Sequence, residues 1–256
     1  MFPDSPSIAP YLEHPKTGPT SKFCAQLAQD LQCYVVAGLP ERLEFPLPSG
    51  HLPSTTTCDV SPSLLGANAA LLFDTTGQLL HTYHKSNLFP TDLPWARPGP
   101  GFTTLNLPHP FGRTTFAICN DLNVSAREGN TWQSIEWGPY ELAGYCKRER
   151  VRLLVLLNAW LKPRDEAADD NDTAVESDCE EMLEDEGDAG LEPNWQTLNY
   201  WAMRLRPLWA EESHIKDDVQ QPETLPKVMQ PKREQDTIVI ISNRLGCERG
   251  MITLLS

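Results

Sequence analysis

The fold class predicted by the sequence is an α/β sandwich with mixed sheets, on three observations. Apolar runs of strand length alternate with segments of helical periodicity. Residues 68–74 and 78–84 are two strands joined by Thr75-Thr76-Gly77. That spacing is a hairpin, which interrupts the alternation expected of a purely doubly wound sheet. Residues 152–158 contain an unbroken apolar run from Leu153 to Leu157, the character of a strand covered on both faces.

Taken in order, residues 20–32 predict an amphipathic helix, with Thr20 or Ser21 as cap and Phe23, Leu27, Ala28 and Leu31 at helical spacing. Residues 33–38 predict a short buried strand, and 44–62, rich in Pro, Ser and Thr, a loop. After the hairpin, residues 86–101 form a loop with four prolines, and residues 114–118 a strand that ends at Cys119. A helix is expected over 137–150, the buried strand over 152–158, and an aromatic-rich helix over 195–209. Residues 211–234 are polar and punctuated by proline, a loop; residues 236–242 predict the last buried strand. Trp95, Trp160, Trp195, Trp201 and Trp209 are expected mainly in the core or at an interface, with Trp160, just past a strand end, as the one lining a pocket.

The net charge of −14 is not spread over the chain. Of 35 acidic residues, 14 fall between Asp165 and Glu192, where there is no Lys or Arg, and the other 21 balance the 21 bases. Residues 163–193 have almost no large apolar side chains, so their composition predicts a disordered acidic insert within a single domain spanning 1–256. No basic stripe supports nucleic-acid binding. No run approaches the roughly 20 apolar residues that span a bilayer, and the start has no secretory pattern. Seven scattered cysteines without a Cys-x-x-Cys pair argue against a disulfide framework or zinc ribbon and for a reducing compartment. The sequons at Asn123 and Asn171 are accordingly read as chance matches.

Cys119 follows the strand in Phe116-Ala-Ile-Cys-Asn-Asp121. A nucleophile at a strand end is presented at the sheet edge, and the next backbone N–H, that of Asn120, faces a developing oxyanion. The thiol needs a base or a cation nearby. Lys85, at the end of the second hairpin strand, is a candidate fixed cation for both thiolate and oxyanion. The bland alternatives are a buried cysteine and a solvated lysine. His81 and His84 keep a Cys/His hydrolase open as a rival.

Together, Tyr83-His-Lys85 with Leu88-Phe89, Trp95-Ala-Arg-Pro-Gly99, Ile118-Cys-Asn-Asp-Leu-Asn123 and Asn158-Ala-Trp-Leu161 resemble the nitrilase, or carbon–nitrogen hydrolase, superfamily. Ile8-Ala-Pro-Tyr-Leu-Glu13, Gly38-Leu-Pro-Glu41 and Asn243-Arg-x-Gly-x-Glu248 point within it to the fungal protein N-terminal asparagine/glutamine amidase branch. The resemblance covers most of the chain outside the acidic window. It implies an α-β-β-α sandwich and a Glu–Lys–Cys triad. In that chemistry Cys119 attacks a side-chain amide, Lys85 and the Asn120 N–H hold the oxyanion, ammonia leaves, and water cleaves the thioester. No cofactor or metal is implied. The implied partners are protein or peptide N-termini and a second copy of the chain, with no nucleic acid or membrane. The implied compartment is the cytoplasm, with the nucleus as a second, and the implied role is in N-terminus-dependent degradation.

The sequence departs from this pattern in two places. The family's glutamate lies in a Leu-Pro-Glu-type motif upstream of the part matching Ile8–Glu13, so the chain is expected to be truncated before it, and also shortened after Leu254. A weakly active or inactive protein would follow. Glu13 and Glu41 match other family positions. Asp92 is a candidate for a second acid, although Leu93 occupies the expected position. Asp92 and Asp121 are candidates to pair with a substrate α-ammonium. Two other readings remain: an amidase of small amides, and a non-catalytic partner-binding protein that uses its acidic segment. Asn243, Arg244 and Glu248 are equally explained as turn residues.

Overall fold

In the computed structural model, residues 2, 4–44, 65–124, 138–160, 194–209, 236–244, 246–248 and 251–253 are described. The expected loops at 44–62 and 211–234, the acidic insert at 163–193 and the Asn171 sequon lie wholly or almost wholly outside them.

The chain begins with a short helix, α1 (Ser5–Ile8), whose cap Asp4 accepts from the Ser7 N–H. It continues into α2 (Pro19–Leu31), β1 (Val35–Arg42), β2 (Gly66–Phe73), β3 (Leu79–His84), β4 (Thr104–Leu107) and β5 (Gly112–Ile118). A 3-10 turn, Cys119–Leu122, is followed by α3 (Glu141–Arg148), β6 (Leu153–Asn158), α4 (Trp195–Leu205) and β7 (Ile238–Asn243). Two short strands, β8 (Gly246–Glu248) and β9 (Met251–Thr253), pair with each other.

Strands β1-β2-β3 form one antiparallel sheet, and β4-β5-β6-β7 form a second. In the second sheet β4 is antiparallel to β5, whereas β5, β6 and β7 run parallel. The sheets meet through Ala70, Leu72, Tyr83, Phe116 and Ile118, with Val155 and Leu157 packed against them. Helix α2 covers the other face of the first sheet through Cys24 and Ala28 against Leu39, Leu71 and Phe73. Helices α3 and α4 cover the second sheet, where Leu142, Cys146, Trp201 and Leu205 meet Leu154 and Leu156. The layers are therefore α-β-β-α, and β6 is covered on both faces as its composition predicts.

Local chemistry explains the differences from expectation. Pro19 occupies the first turn of α2 and Gly18 its N-cap, and the Glu13 carboxylate accepts from both the Thr20 N–H (2.9 Å) and the Thr20 hydroxyl (2.7 Å). The cap is thus supplied from seven residues upstream rather than by Thr20 or Ser21. The buried face is Ser21, Cys24 and Ala28, while Phe23 and Leu31 are mostly exposed. Small side chains let the helix lie close on the sheet. Strand β1 runs four residues further than expected, past Pro40; among the described residues its ladder is with β2, and an edge strand tolerates proline. Strand β4 was not foreseen; its four residues alternate weakly. Helix α3 starts only after Pro139, and α4 gives way to a 3-10 turn at Arg206–Leu208, where Pro207 cannot continue it. Of the tryptophans, Trp95 and Trp201 are core, whereas Trp195 and Trp209 are at least half exposed.

Candidate active site

The loop after β3 and the turn after β5 are brought together by Asp121, which has no exposed surface. Its Oδ1 accepts from the Ser86 N–H (3.0 Å) and the Asn87 N–H (2.7 Å). Its Oδ2 accepts from the Ile118 N–H (2.8 Å) and the Tyr83 hydroxyl (2.8 Å). Four donors from two segments fill one carboxylate, which is not among the cavity-lining groups. The expectation that Asp121 contacts substrate gives way to a positioning role. Burial pushes its carboxyl above the usual range, and the backbone donors oppose that push.

This clamp sets Lys85 and Cys119 on one cavity of about 720 Å³ between the strand ends. Lys85 is 3% exposed, and its Nζ donates to Asp92 Oδ2 at 2.6 Å. Asp92 is fixed in turn by the Phe89 N–H (3.0 Å) and Asn68 Nδ2 (3.2 Å). The Lys85 main chain is tied on both sides: its N–H donates to Asn68 O, and its carbonyl accepts from the Gly99 N–H. A Cβ at Gly99 would sit 2.2 Å from the His84 carbonyl oxygen, so that approach requires glycine.

Cys119 takes φ of +48° at the first residue after β5. For a side chain with a Cβ this left-handed conformation costs on the order of 1–3 kcal/mol, and it turns the thiol out of the strand's alternation. Burial pushes the thiol up; the Lys85 charge and a hydrogen bond from the Ala159 N–H pull it down, and Asp92 and Asp121 push it up further. The resting group is therefore a thiol, which would need a proton acceptor to act as a nucleophile. Asn120 lines the cavity and is pinned: its carbonyl accepts from Asn87 Nδ2 (2.7 Å) and its Nδ2 donates to the Leu88 carbonyl (3.1 Å).

Asp92 and Trp160 both line the cavity. The Trp160 ring packs against Tyr200 (5.3 Å between centroids) and Trp201 (6.0 Å), and its backbone N–H donates to Asn243 Oδ1 at 2.9 Å. The histidines do not line it. His84 Nε2 pairs with Glu41 Oε2 at 2.6 Å, and His81, its pKa lowered by burial, lies beside Phe116. Among the described residues a Cys/His pair is thus not assembled. Asn68, Asn158, Tyr200, Ser242 and Arg244 also line the cavity; the sequence reading singled out Asn158 only within the Asn158–Leu161 string and Arg244 only beside a turn, and passed over the other three. The strand-end positions of Asn158 and Ser242 carried the available signal. Among the described residues no group of three His, Cys, Asp or Glu could hold a metal, and no helix is long and apolar enough to cross a membrane.

Residues 6–127 match the family described as carbon–nitrogen hydrolase. The chain is 25% identical over 258 residues to the protein N-terminal amidase of Schizosaccharomyces pombe, covering 98% of this chain and 70% of that protein. It also resembles the crystal structure of an N-terminal amidase with a cysteine replaced by serine. That likeness has a TM-score of 0.67 at 17% identity and covers 99% of this chain and 75% of the other. The structure of an N-terminal amidase with an Asn-Glu-Ala peptide gives a TM-score of 0.63 at 16% identity, with 99% and 75% covered. These structural likenesses establish a shared α-β-β-α fold.

Proposed function

We propose that the chain is a carbon–nitrogen hydrolase on the nitrilase fold, as the family match and the relative support, and that it removes ammonia from the side-chain amide of an N-terminal Asn or Gln in peptides and proteins. The observation that carries this reading is a left-handed Cys119 beside a buried Lys85–Asp92 ion pair on one cavity. The similarity to the S. pombe protein N-terminal amidase supports the substrate class.

In this reading Cys119 Sγ attacks the amide carbon as its proton passes to a carboxylate. Asp92 is the only carboxylate among the described residues lining the cavity, which makes it the acceptor available there. The tetrahedral oxyanion is held by Lys85 Nζ and the Asn120 N–H. A dry, preorganised cation is worth far more to that charge than a hydrated one. Collapse returns the proton to the leaving nitrogen, ammonia departs, and a thioester remains. Water then attacks the thioester carbonyl, giving its proton to the same carboxylate, and the thiol is restored. Amide and water become a carboxylate and ammonium. A new acidic N-terminus would then be read by N-terminus-dependent degradation in the cytoplasm.

An amidase of small acyl amides is the second reading, favoured by Arg244 in a lining whose one described carboxylate is already paired. The experiment is ammonia release from Asn- and Gln-initiated peptides and from small amides, with wild-type and Cys119→Ala protein. Release from the peptides that disappears in the variant supports the proposal. Release that survives the substitution, or that occurs from small amides alone, overturns it.

A further inference from the structure

We propose that Asn158 and Trp160 form a subsite for the main-chain peptide unit of the substrate, with the Asn158 amide as the group that reads it. The inference rests on the peptide-amidase reading above and adds to it the residues that would distinguish a peptide from a free amino acid.

Four asparagines line the cavity, and three are committed to the protein. Asn68 Nδ2 donates to Asp92 Oδ1, Asn120 is joined to Leu88 and to Asn123, and Asn123 Oδ1 accepts from the Tyr200 hydroxyl at 2.6 Å. Asn158 is different. It is 8% exposed and lines the cavity, yet among the described residues neither its Nδ2 nor its Oδ1 has a partner. The Trp160 Nε1, two residues on and in the same lining, is also buried and without a partner among the described residues.

The main chain carrying them is held firmly. The Asn158 carbonyl accepts from the Arg244 N–H at 3.0 Å, the Ala159 N–H bonds the Cys119 thiol, and the Trp160 N–H bonds Asn243. Two side chains with spare hydrogen-bonding capacity are therefore fixed within two residues of a contact to the nucleophile. A buried polar group left unpaired is costly, and the cost is relieved by a ligand offering the complementary groups. An amide presents an acceptor and two donors, and an indole presents one donor. A peptide unit answers both: its N–H to Asn158 Oδ1, its carbonyl oxygen to Asn158 Nδ2 or Trp160 Nε1. Neutral dipoles suit this neutral group, while the carboxylate of the cavity remains with Lys85.

The test compares wild-type protein with Asn158→Leu, an apolar replacement of similar size, on an Asn-initiated dipeptide and on free asparagine. The expected result is a KM for the dipeptide raised about tenfold or more, the loss of roughly 1.4 kcal/mol of binding. The kcat should change little, and KM for free asparagine should be unaffected. The melting temperature should hold or rise, because an apolar group replaces an unpaired amide. An unchanged dipeptide KM, or an equal loss for both substrates, overturns the proposal. Should wild-type protein release no ammonia from peptides, the reaction reading fails separately. Calorimetry of dipeptide binding to Cys119→Ala, with and without Asn158→Leu, then decides the subsite: equal affinities or no binding overturns it. Failure of both Asn158→Leu and Asn158→Ala to fold would assign the amide a structural role and overturn it as well.

Discussion

The Tyr83 hydroxyl donates to Asp121 Oδ2 at 2.8 Å, beneath the cavity and between the two segments that carry Lys85 and Cys119. Burial drives the phenol far above its ordinary pKa, so it stays a donor at every pH of interest. Tyr83→Phe removes one of four donors to a buried carboxylate. A stability loss of about 1–3 kcal/mol is expected in urea unfolding, the cost of an under-satisfied buried charge. Asp121→Ala strands three backbone N–H groups and should cost more than Tyr83→Phe. A loss no larger than that of Tyr83→Phe would argue against the clamp.

Lys85→Met leaves Asp92 buried without its cation. About 3–5 kcal/mol of stability should be lost on that account, with ammonia release falling to background. The double variant Lys85→Met/Asp92→Leu should recover much of the stability and none of the activity. Unfolding curves and ammonia assays on the single and double variants separate the two effects.

The reactivity of Cys119 should depend on pH in a defined direction. Burial raises the thiol pKa and Lys85 opposes it, so alkylation of the free protein by iodoacetamide should still be rising above the pH at which an exposed thiol reaches its plateau. Removing Lys85 takes away the opposing charge. The thiolate fraction at a given pH falls, and the rate profile moves to higher pH. A profile that stays put or moves lower would separate the lysine from the thiol.

Gly99 stands against the His84 carbonyl oxygen on the strand end that carries Lys85. Gly99→Ala should cost about 1–3 kcal/mol through forced backbone shifts. Because the shift falls beside Lys85, activity should drop by more than the loss of folded protein explains, as read by specific activity against the folded fraction from circular dichroism.

Glu13 caps α2 through the backbone and hydroxyl of Thr20. Glu13→Ala should cost about 0.5–2 kcal/mol, the usual worth of an N-cap interaction, visible as a lower urea midpoint with the site chemistry intact.

The sandwich, the hairpin and the doubly covered β6 were legible because they rest on local periodicity and turn residues. The placement of Cys119 and Lys85 at one edge of the sandwich was legible because each follows or ends a strand within a short, distinctive string. What escaped depends on partners distant in sequence. Asp121 resembles a substrate acid until the Ser86 and Asn87 N–H groups are seen to consume it. The outward face of α2 resembles a core because Phe23 and Leu31 share its spacing, while the sheet beneath admits only Ser21, Cys24 and Ala28. Asn158 and Ser242 become wall residues only because β6 and β7 end level with each other, Asn158 opposite Asn243.

That last pairing bears on the order in which the cavity is assembled as the polypeptide grows. Cys119 and Lys85 are both synthesised by residue 119, but the wall that Trp160 contributes is tied to Asn243, on a strand that aligns with β6 only once residues 238–243 have emerged. A nascent chain on the ribosome therefore carries the Cys119 thiol and the Lys85 ammonium long before the cavity wall beside them is complete, and the cavity takes its final form late in translation.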